Sequence, residues 1–341
     1  MLGSNEQLWQ EERATRRRTV KRATILILLF LIFLGCVSLW LTQPLLRKRD
    51  GEKDLLSADQ IELQKHVETL SQTFYPRNYQ NSHNLDLTAD YIRGEFERTG
   101  GRVSEQIFNV DGSSYRNIIL DLGENSSERI VVGAHYDTAY ETHGADDNAS
   151  GIAGLIELAH LMSQESHATS IEFVAYSLEE PPFFGTMEMG SFVHAKSLRD
   201  NNINVKLMVC LEMIGFFSDE PNSQNFPFIL GRLLYPPTGN FIALVGNFTN
   251  ASSVRNFKYS MSSVGGLDTY SLNAPRFVGG IDLSDHRNYW QFGYDAVMVT
   301  DTAFYRNKAY HTPSDTSDRL DYAKMAKVVD AVNIAILDIA K

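Results

Sequence analysis

Residues 129–180 decide the fold. The apolar run Arg129-Ile-Val-Val-Gly-Ala-His135-Tyr-Asp137-Thr138 is followed by Gly144-Ala-Asp146-Asp147-Asn148-Ala-Ser150-Gly151, which opens an apolar helix predicted over about 150–163. A second apolar run, Ser170–Ser177, then leads into Glu179-Glu180. Short continuous apolar runs separated by a helix read as strands of a sheet covered on both faces. The carboxyl ends of such strands are where α/β sheets place their sites. Here those ends carry His135, a pair of aspartates and a pair of glutamates.

Working outward, the alternation continues. Helices are expected near 189–200, 250–262, 285–292 and 321–340, and strands near 206–213, 241–246, 276–278 and 296–300. Upstream, Ser57-Ala-Asp-Gln reads as a capping box opening a first helix. A second helix is expected over about 86–98, ending at Gly100-Gly101, before strands near 103–110, 117–122 and 129–134. The predicted fold class is α/β: a mixed, mostly parallel twisted sheet with helices on both faces. Gly and Pro never cluster enough to mark a second domain, so residues 57–341 read as one unit.

The first 53 residues differ from that body. Of 31 Lys+Arg and 42 Asp+Glu, they hold 10 and 5, a net of +5, which leaves −16 for the remainder. Ala23–Leu46 contains no charge, and its core ATILILLFLIFLGCVSLWL matches the roughly 20 residues needed to cross a bilayer. The apolar run exceeds the 7–15 residues usual in a secretory signal, and no A-x-A site follows it. Lipidation at Cys36 is disfavoured because the run continues past the cysteine. The expected layout is therefore a basic cytoplasmic tail (1–22), a transmembrane anchor (23–42), a linker (43–56) and the catalytic body (57–341) outside the cytoplasm. An acidic body excludes nucleic acid as the partner, and two cysteines exclude a disulfide scaffold.

Each polar element taken alone has an ordinary explanation. A histidine after a strand is commonly a hydrogen-bonded surface residue, Asp and Asn cap helices, and a Glu pair suits a solvated turn. Glu212 is harder to dismiss, because Val209-Cys-Leu-Glu212-Met-Ile embeds a charge in an apolar strand. His311 lies in Tyr310-His311-Thr-Pro-Ser-Asp315, where Asp315 is placed to steady it. Together, His135, Asp146, Glu180, Glu212 and His311 form an N/O donor set sufficient for two zinc sites sharing one carboxylate. Asp137 would orient His135, and Glu179 would remain free as a base.

The succession GAHYDT, GADDNASG, SLEEPPFFGT, LEMIG, SDH and YHTPSDT resembles the zinc-dependent peptidase family of the bacterial leucyl aminopeptidases, aminopeptidase Y, glutamate carboxypeptidase and glutaminyl cyclase. The resemblance spans roughly residues 58–341. It implies that Asp146 bridges two zinc ions, with His135 and Glu212 completing one site and Glu180 and His311 the other. It further implies Glu179 as general base and a cis peptide between Asp146 and Asp147. The Glu212 position is commonly Asp in the family. Ser284-Asp285-His286 is similar to a stretch lining the family's substrate pocket, which implies Asp285 and His286 as substrate contacts. From position alone, Tyr305 just before His311 is another expected contact, and Phe183 and Phe184 just past the glutamate pair are candidate pocket walls. The activity implied is that of a membrane-anchored aminopeptidase acting on peptides. A glutaminyl-peptide cyclase and a non-catalytic ectodomain are the alternatives.

Overall fold

The computed structural model describes residues 2–43, 57–123, 128–167, 169–228 and 231–341. Residues 44–56 of the expected linker lie outside the described residues. The chain falls into two compact units, the first ending at Gln43.

The first unit is one helix, α1 (Leu2–Thr42). It starts well before the expected anchor, because nothing in the basic segment Arg13–Arg22 breaks a helix. Within it, Leu8–Trp40 contains a window of mean hydropathy 2.6, long and apolar enough to cross a membrane.

The second unit begins with α2 (Gln60–Glu68). Its cap is Asp59, which accepts from the N–H of Ile61, and not Ser57. Ser57 instead donates to Asp330. After α3 (Ser82–Glu97) come β1 (Arg102–Val110), β2 (Ser113–Leu122), β3 (Glu128–His135), α4 (Gly151–Met162), β4 (Ser170–Tyr176), α5 (Gly190–Asp200) and β5 (Asn204–Glu212). Then follow α6 (Gly231–Leu234), β6 (Phe241–Gly246), α7 (Ala251–Met261), β7 (Asp268–Asn273), α8 (His286–Gln291), β8 (Ala296–Thr300) and α9 (Tyr322–Ala340).

The strands form one mixed sheet in the order β1-β2-β4-β3-β5-β8-β6-β7. The inner strands β4, β3, β5 and β8 run parallel to one another, while β1–β2, β2–β4 and β6–β8 are antiparallel. The expected strand at 276–278 is a turn, and the outermost strand, β7, is instead the more polar stretch Asp268–Asn273. That stretch pairs with β6 at the sheet edge, where only alternate residues are buried.

Successive residues of β3 serve opposite faces. Ile130, Val132 and Ala134 join the core under α3, α4, α7 and α9, while Val131 joins the smaller core that includes Ala195 and Leu198 of α5 and Tyr289 of α8. Burying both faces is what makes these strands read as unbroken apolar runs. Gly133 is required by close packing: a Cβ there would sit 2.3 Å from the Tyr176 ring.

Candidate metal centre

Parallel pairing puts the chemistry at one edge of the sheet. His135 ends β3 opposite Tyr176 of β4, three residues before Glu179. Glu212 ends β5 opposite Thr300 of β8, eleven residues before His311. Side chains from adjacent strand ends therefore start only about 5 Å apart.

Asp147 lies at the centre of the cluster. Its Oδ1 is 3.4 Å from His135 Nε2 and its Oδ2 is 3.2 Å from His311 Nε2. Glu212 Oε2 approaches His135 Nε2 at 3.3 Å, and Glu180 Oε2 approaches His311 Nε2 at 3.1 Å. Three groups have their ligand atoms within 4.8 Å of one another: His135–Asp147–Glu212, Asp147–Glu180–His311 and His135–Glu179–Glu180, the first two sharing Asp147. Glu179 Oε2 stands 3.9 Å from His135 Nε2.

The expectation that Asp146 occupies the shared position is corrected. Asp146 turns away, accepting from the Gly215 N–H (3.1 Å) and from Asn307 Nδ2 (2.8 Å). It supports the loop that carries His311, and its burial against Asp301 pushes its carboxyl well above the usual range. The cis peptide likewise lies one residue later, between Asp147 and Asn148. The choice between the two aspartates is made by backbone grips. Asp315 accepts the N–H groups of both, at 3.2 Å from Asp146 and 3.0 Å from Asp147. Asn148 bridges β5 to α4 by accepting from Met213 and Gly151 and donating to Leu211. Asp315 thus steadies the aspartate turn, where the sequence pattern had placed it beside His311.

Asp137 positions the glutamate pair as well as His135. Its two oxygens accept the N–H groups of Glu179 (3.1 Å) and Glu180 (3.0 Å). His135 Nδ1 faces the Asp137 carbonyl at 3.2 Å and Oδ1 at 3.5 Å, which leaves Nε2 directed into the cluster.

A residue that sequence reasoning missed is Arg77. Fully enclosed, its guanidinium donates to the carbonyls of Leu70, Tyr136, His143 and Gly144. It ties the turn after His135 to the turn before Asp147. Gly144 is left-handed (φ 55), and a Cβ there would meet Arg77 Nη2 at 2.9 Å. The signal was weak: an arginine after Tyr75-Pro76, far from every motif in sequence.

The electrostatics are those of too many anions in too little water. Burial pushes Glu179 well above the carboxylate range, and Glu180, Glu212 and Asp285 add to the shift against His135. Burial and then Asp147 push Glu180 up to about 8. Burial opposes ionisation of Asp147, but the adjoining imidazoles of His135 and His311 outweigh it and hold this carboxyl well below its ordinary value. Burial also lowers His311, yet Asp147 and Glu180 prevail and raise it to about 10.

The donors fit zinc on their own terms. His135 Nε2, His311 Nε2 and Glu180 Oε1 are buried and have no hydrogen-bond partner. Orphaned polar atoms of this kind are costly unless a cation engages them. Imidazole and carboxylate are a zinc donor set, and cations there would offset the crowded negative charge.

Beside the cluster lies an apolar cavity of about 90 Å³ that opens to solvent, lined by Phe226, Phe241, Tyr270, Ile281, Tyr305 and Tyr310 among others. Glu212 is its one charged lining residue among the described residues. Tyr305, expected as a substrate contact, is one of the cavity's lining residues. Asp285 and His286 are not: both are fully buried, and His286 Nε2 bonds the Ile281 carbonyl while its ring meets Trp290 edge-on. Phe183 packs on Tyr79 and Tyr115, and Phe184 lies under the Arg287 guanidinium, so neither walls the cavity.

The chain belongs to peptidase family M28, which matches residues 117–335. It is 47% identical over 314 residues to the uncharacterised protein YfbL of Escherichia coli (strain K12), covering 90% of this chain and 95% of YfbL. It is 24% identical to the probable aminopeptidase YDR415C of Saccharomyces cerevisiae, covering 78% and 70% of the two chains. Among solved structures, LapB of Legionella pneumophila superposes with TM-score 0.68 at 19% identity, covering 83% of this chain and 72% of LapB. The glutaminyl cyclase of Fimbriiglobus ruber gives 0.65 at 21%, covering 87% and 100%. At these identities the two structures speak to the fold, and they bear out the mixed α/β sheet.

Proposed function

We propose that this chain is a zinc-dependent aminopeptidase that removes apolar amino-terminal residues from peptides. The observation that supports it most directly is Asp147 set between two imidazoles, with Glu212 and Glu180 converging on the same inward nitrogens. Two ions are proposed, one held by His135, Asp147 and Glu212 and the other by Asp147, Glu180 and His311.

Zinc held by these residues would supply Lewis acidity to the scissile carbonyl and to the attacking water. The rest of the work falls to the chain's own groups. Glu179 takes a proton from the attacking water at a carboxylate oxygen and delivers it to the leaving amine. Asp137 fixes where that carboxylate starts, because it holds the Glu179 N–H. The apolar cavity receives the side chain of the first residue and keeps bulk water from it. Its lack of any cationic lining among the described residues favours a substrate presenting a free ammonium over one presenting a carboxylate.

The helix α1 is proposed as an uncleaved anchor, with the basic flank Arg13–Arg22 in the cytoplasm and the peptidase unit outside it. The test is a panel of aminoacyl-p-nitroanilides, assayed with chelator and after zinc is restored. Chelator-sensitive release with Leu or Phe substrates is expected. Cyclisation of amino-terminal Gln without hydrolysis by zinc-loaded protein would instead identify a cyclase, and no turnover of either kind a non-catalytic ectodomain.

A further inference from the structure

Glu212 carries one methylene more than the aspartate common at its position in the resembling family. The extra bond adds a rotation, and a carboxylate free to swing does not present an oxygen at one fixed point. We propose that Ser284 is a positioning residue for this glutamate, whose hydroxyl aims Glu212 at the metal position it shares with His135 and Asp147. The inference rests on the reading of Glu212 as a ligand.

The geometry supporting it is local and closed. Ser284 Oγ donates to Glu212 Oε2 at 2.7 Å, and the same oxygen lies 3.3 Å from His135 Nε2. Cys210 and Glu212 are two residues apart on β5, so both side chains leave the same face of the sheet. Ser284 reaches both, with Cys210 Sγ 3.2 Å from its Oγ. A hydroxyl has a single proton, and a carboxylate is a far better acceptor than a thiol. The serine proton therefore goes to Glu212, while the thiol gives its own to Oγ and stops the hydroxyl from turning. Ser284 is fully buried, so water does not compete for it. Its own carbonyl accepts the Arg287 N–H at 3.1 Å, which seats the hydroxyl on the start of α8. Ser284 is not among the described residues lining the apolar cavity, so it acts through Glu212 and not on substrate.

The test is zinc affinity, measured on the full chain by competition with a chromogenic chelator. Ser284→Ala is expected to weaken one of two zinc sites by about 10–100-fold and leave the other within a few-fold. Cys210→Ala keeps the donor to Glu212 and is expected to leave both affinities within a few-fold. In a Glu212→Asp background the shorter side chain no longer reaches Ser284, so adding Ser284→Ala should cost little more, a coupling that general loosening of the fold would not produce. Far-UV circular dichroism of each variant checks folding. If Ser284→Ala does not fold, Ser284→Cys decides: it keeps the side-chain volume but offers a far weaker donor to Glu212, and is expected to show the same single-site loss. Unchanged affinities in Ser284→Ala, with one zinc lost in Glu212→Gln, would overturn the role of Ser284 and leave Glu212 a ligand. Two tight zinc ions in Glu212→Gln would overturn both.

Discussion

Asp315 reaches across 168 residues of sequence to accept the backbone N–H of Asp147 at 3.0 Å. The side chain of Asp147 is thereby free of any role in holding its own turn. Its two oxygens point at two histidines, and the neighbouring aspartate carries the structural load.

Asp146 and Asp147 should therefore behave as opposites. Asp147→Asn is expected to reduce bound zinc from two ions to one or none and to abolish peptide hydrolysis. Asp146→Asn should retain zinc but cost about 1–3 kcal/mol of stability, since it disturbs the buried hydrogen bonds to Gly215 and Asn307. Metal analysis and urea denaturation of the two proteins distinguish them.

Replacing Glu179 by Gln removes a proton acceptor without removing a member of either proposed ligand triad. A fall in kcat of about 10²–10⁴-fold is expected, with zinc content and melting temperature unchanged. A loss of zinc in this variant would place Glu179 among the ligands.

Arg77→Met removes a donor from four carbonyls, of which that of Gly144 keeps the Ala149 N–H and the others lose the guanidinium. At about 1–3 kcal/mol for each unsatisfied group, partly relieved by relaxation, a loss of at least about 3 kcal/mol is expected. Because Arg77 joins the two turns that flank the centre, zinc affinity should fall in the same variant. Denaturation with and without zinc measures both effects.

His286 gives a pH dependence of known sign. Burial lowers it from 6.5 to about 4 in the folded chain. Between those values the unfolded chain binds the proton and the folded chain does not. Stability is therefore retained above about pH 6.5 and falls as pH drops toward 4, by about 3 kcal/mol from this residue. His286→Phe should show a shallower decline over that window, as measured by denaturation at constant ionic strength.

Ala243 lines the apolar cavity on β6. Ala243→Phe should fill part of it and lower kcat/KM for Leu and Phe substrates by about 10-fold or more, with a smaller effect on an Ala substrate. Equal losses on all three would argue that the first side chain binds elsewhere.

What the sequence made readable follows from periodicity and burial. The inner strands announced themselves because both faces are covered, and His135, Glu180 and Glu212 were conspicuous as polar residues at the ends of apolar runs. Asp146 and Asp147 were not separable this way, since both are carboxylates between the same two glycines. Which one faces the histidines depends on Asp315 and Asn148, contacts that no local pattern encodes. The edge strand β7 was missed because half of it is solvated and its sequence, Asp268-Thr-Tyr-Ser-Leu-Asn273, is polar. Ser284-Asp285-His286 stood out as a motif, but a short polar triplet does not reveal that all three side chains are fully buried.

The placement of β8 between β5 and β6 has a mechanical meaning. The chain passes from β5 to the exposed stretch around Asp219–Asn222, builds β6 and β7 at the far end of the sheet, and only then returns to insert β8 between β5 and β6. A protease that nicks the exposed stretch would not divide the molecule into separable halves. The carboxyl-terminal fragment would still be gripped as an interior strand, with His311 attached and the other proposed ligands on the amino-terminal fragment. The centre is thus sewn across the cut, and a cleaved chain should stay in one piece until it is unfolded.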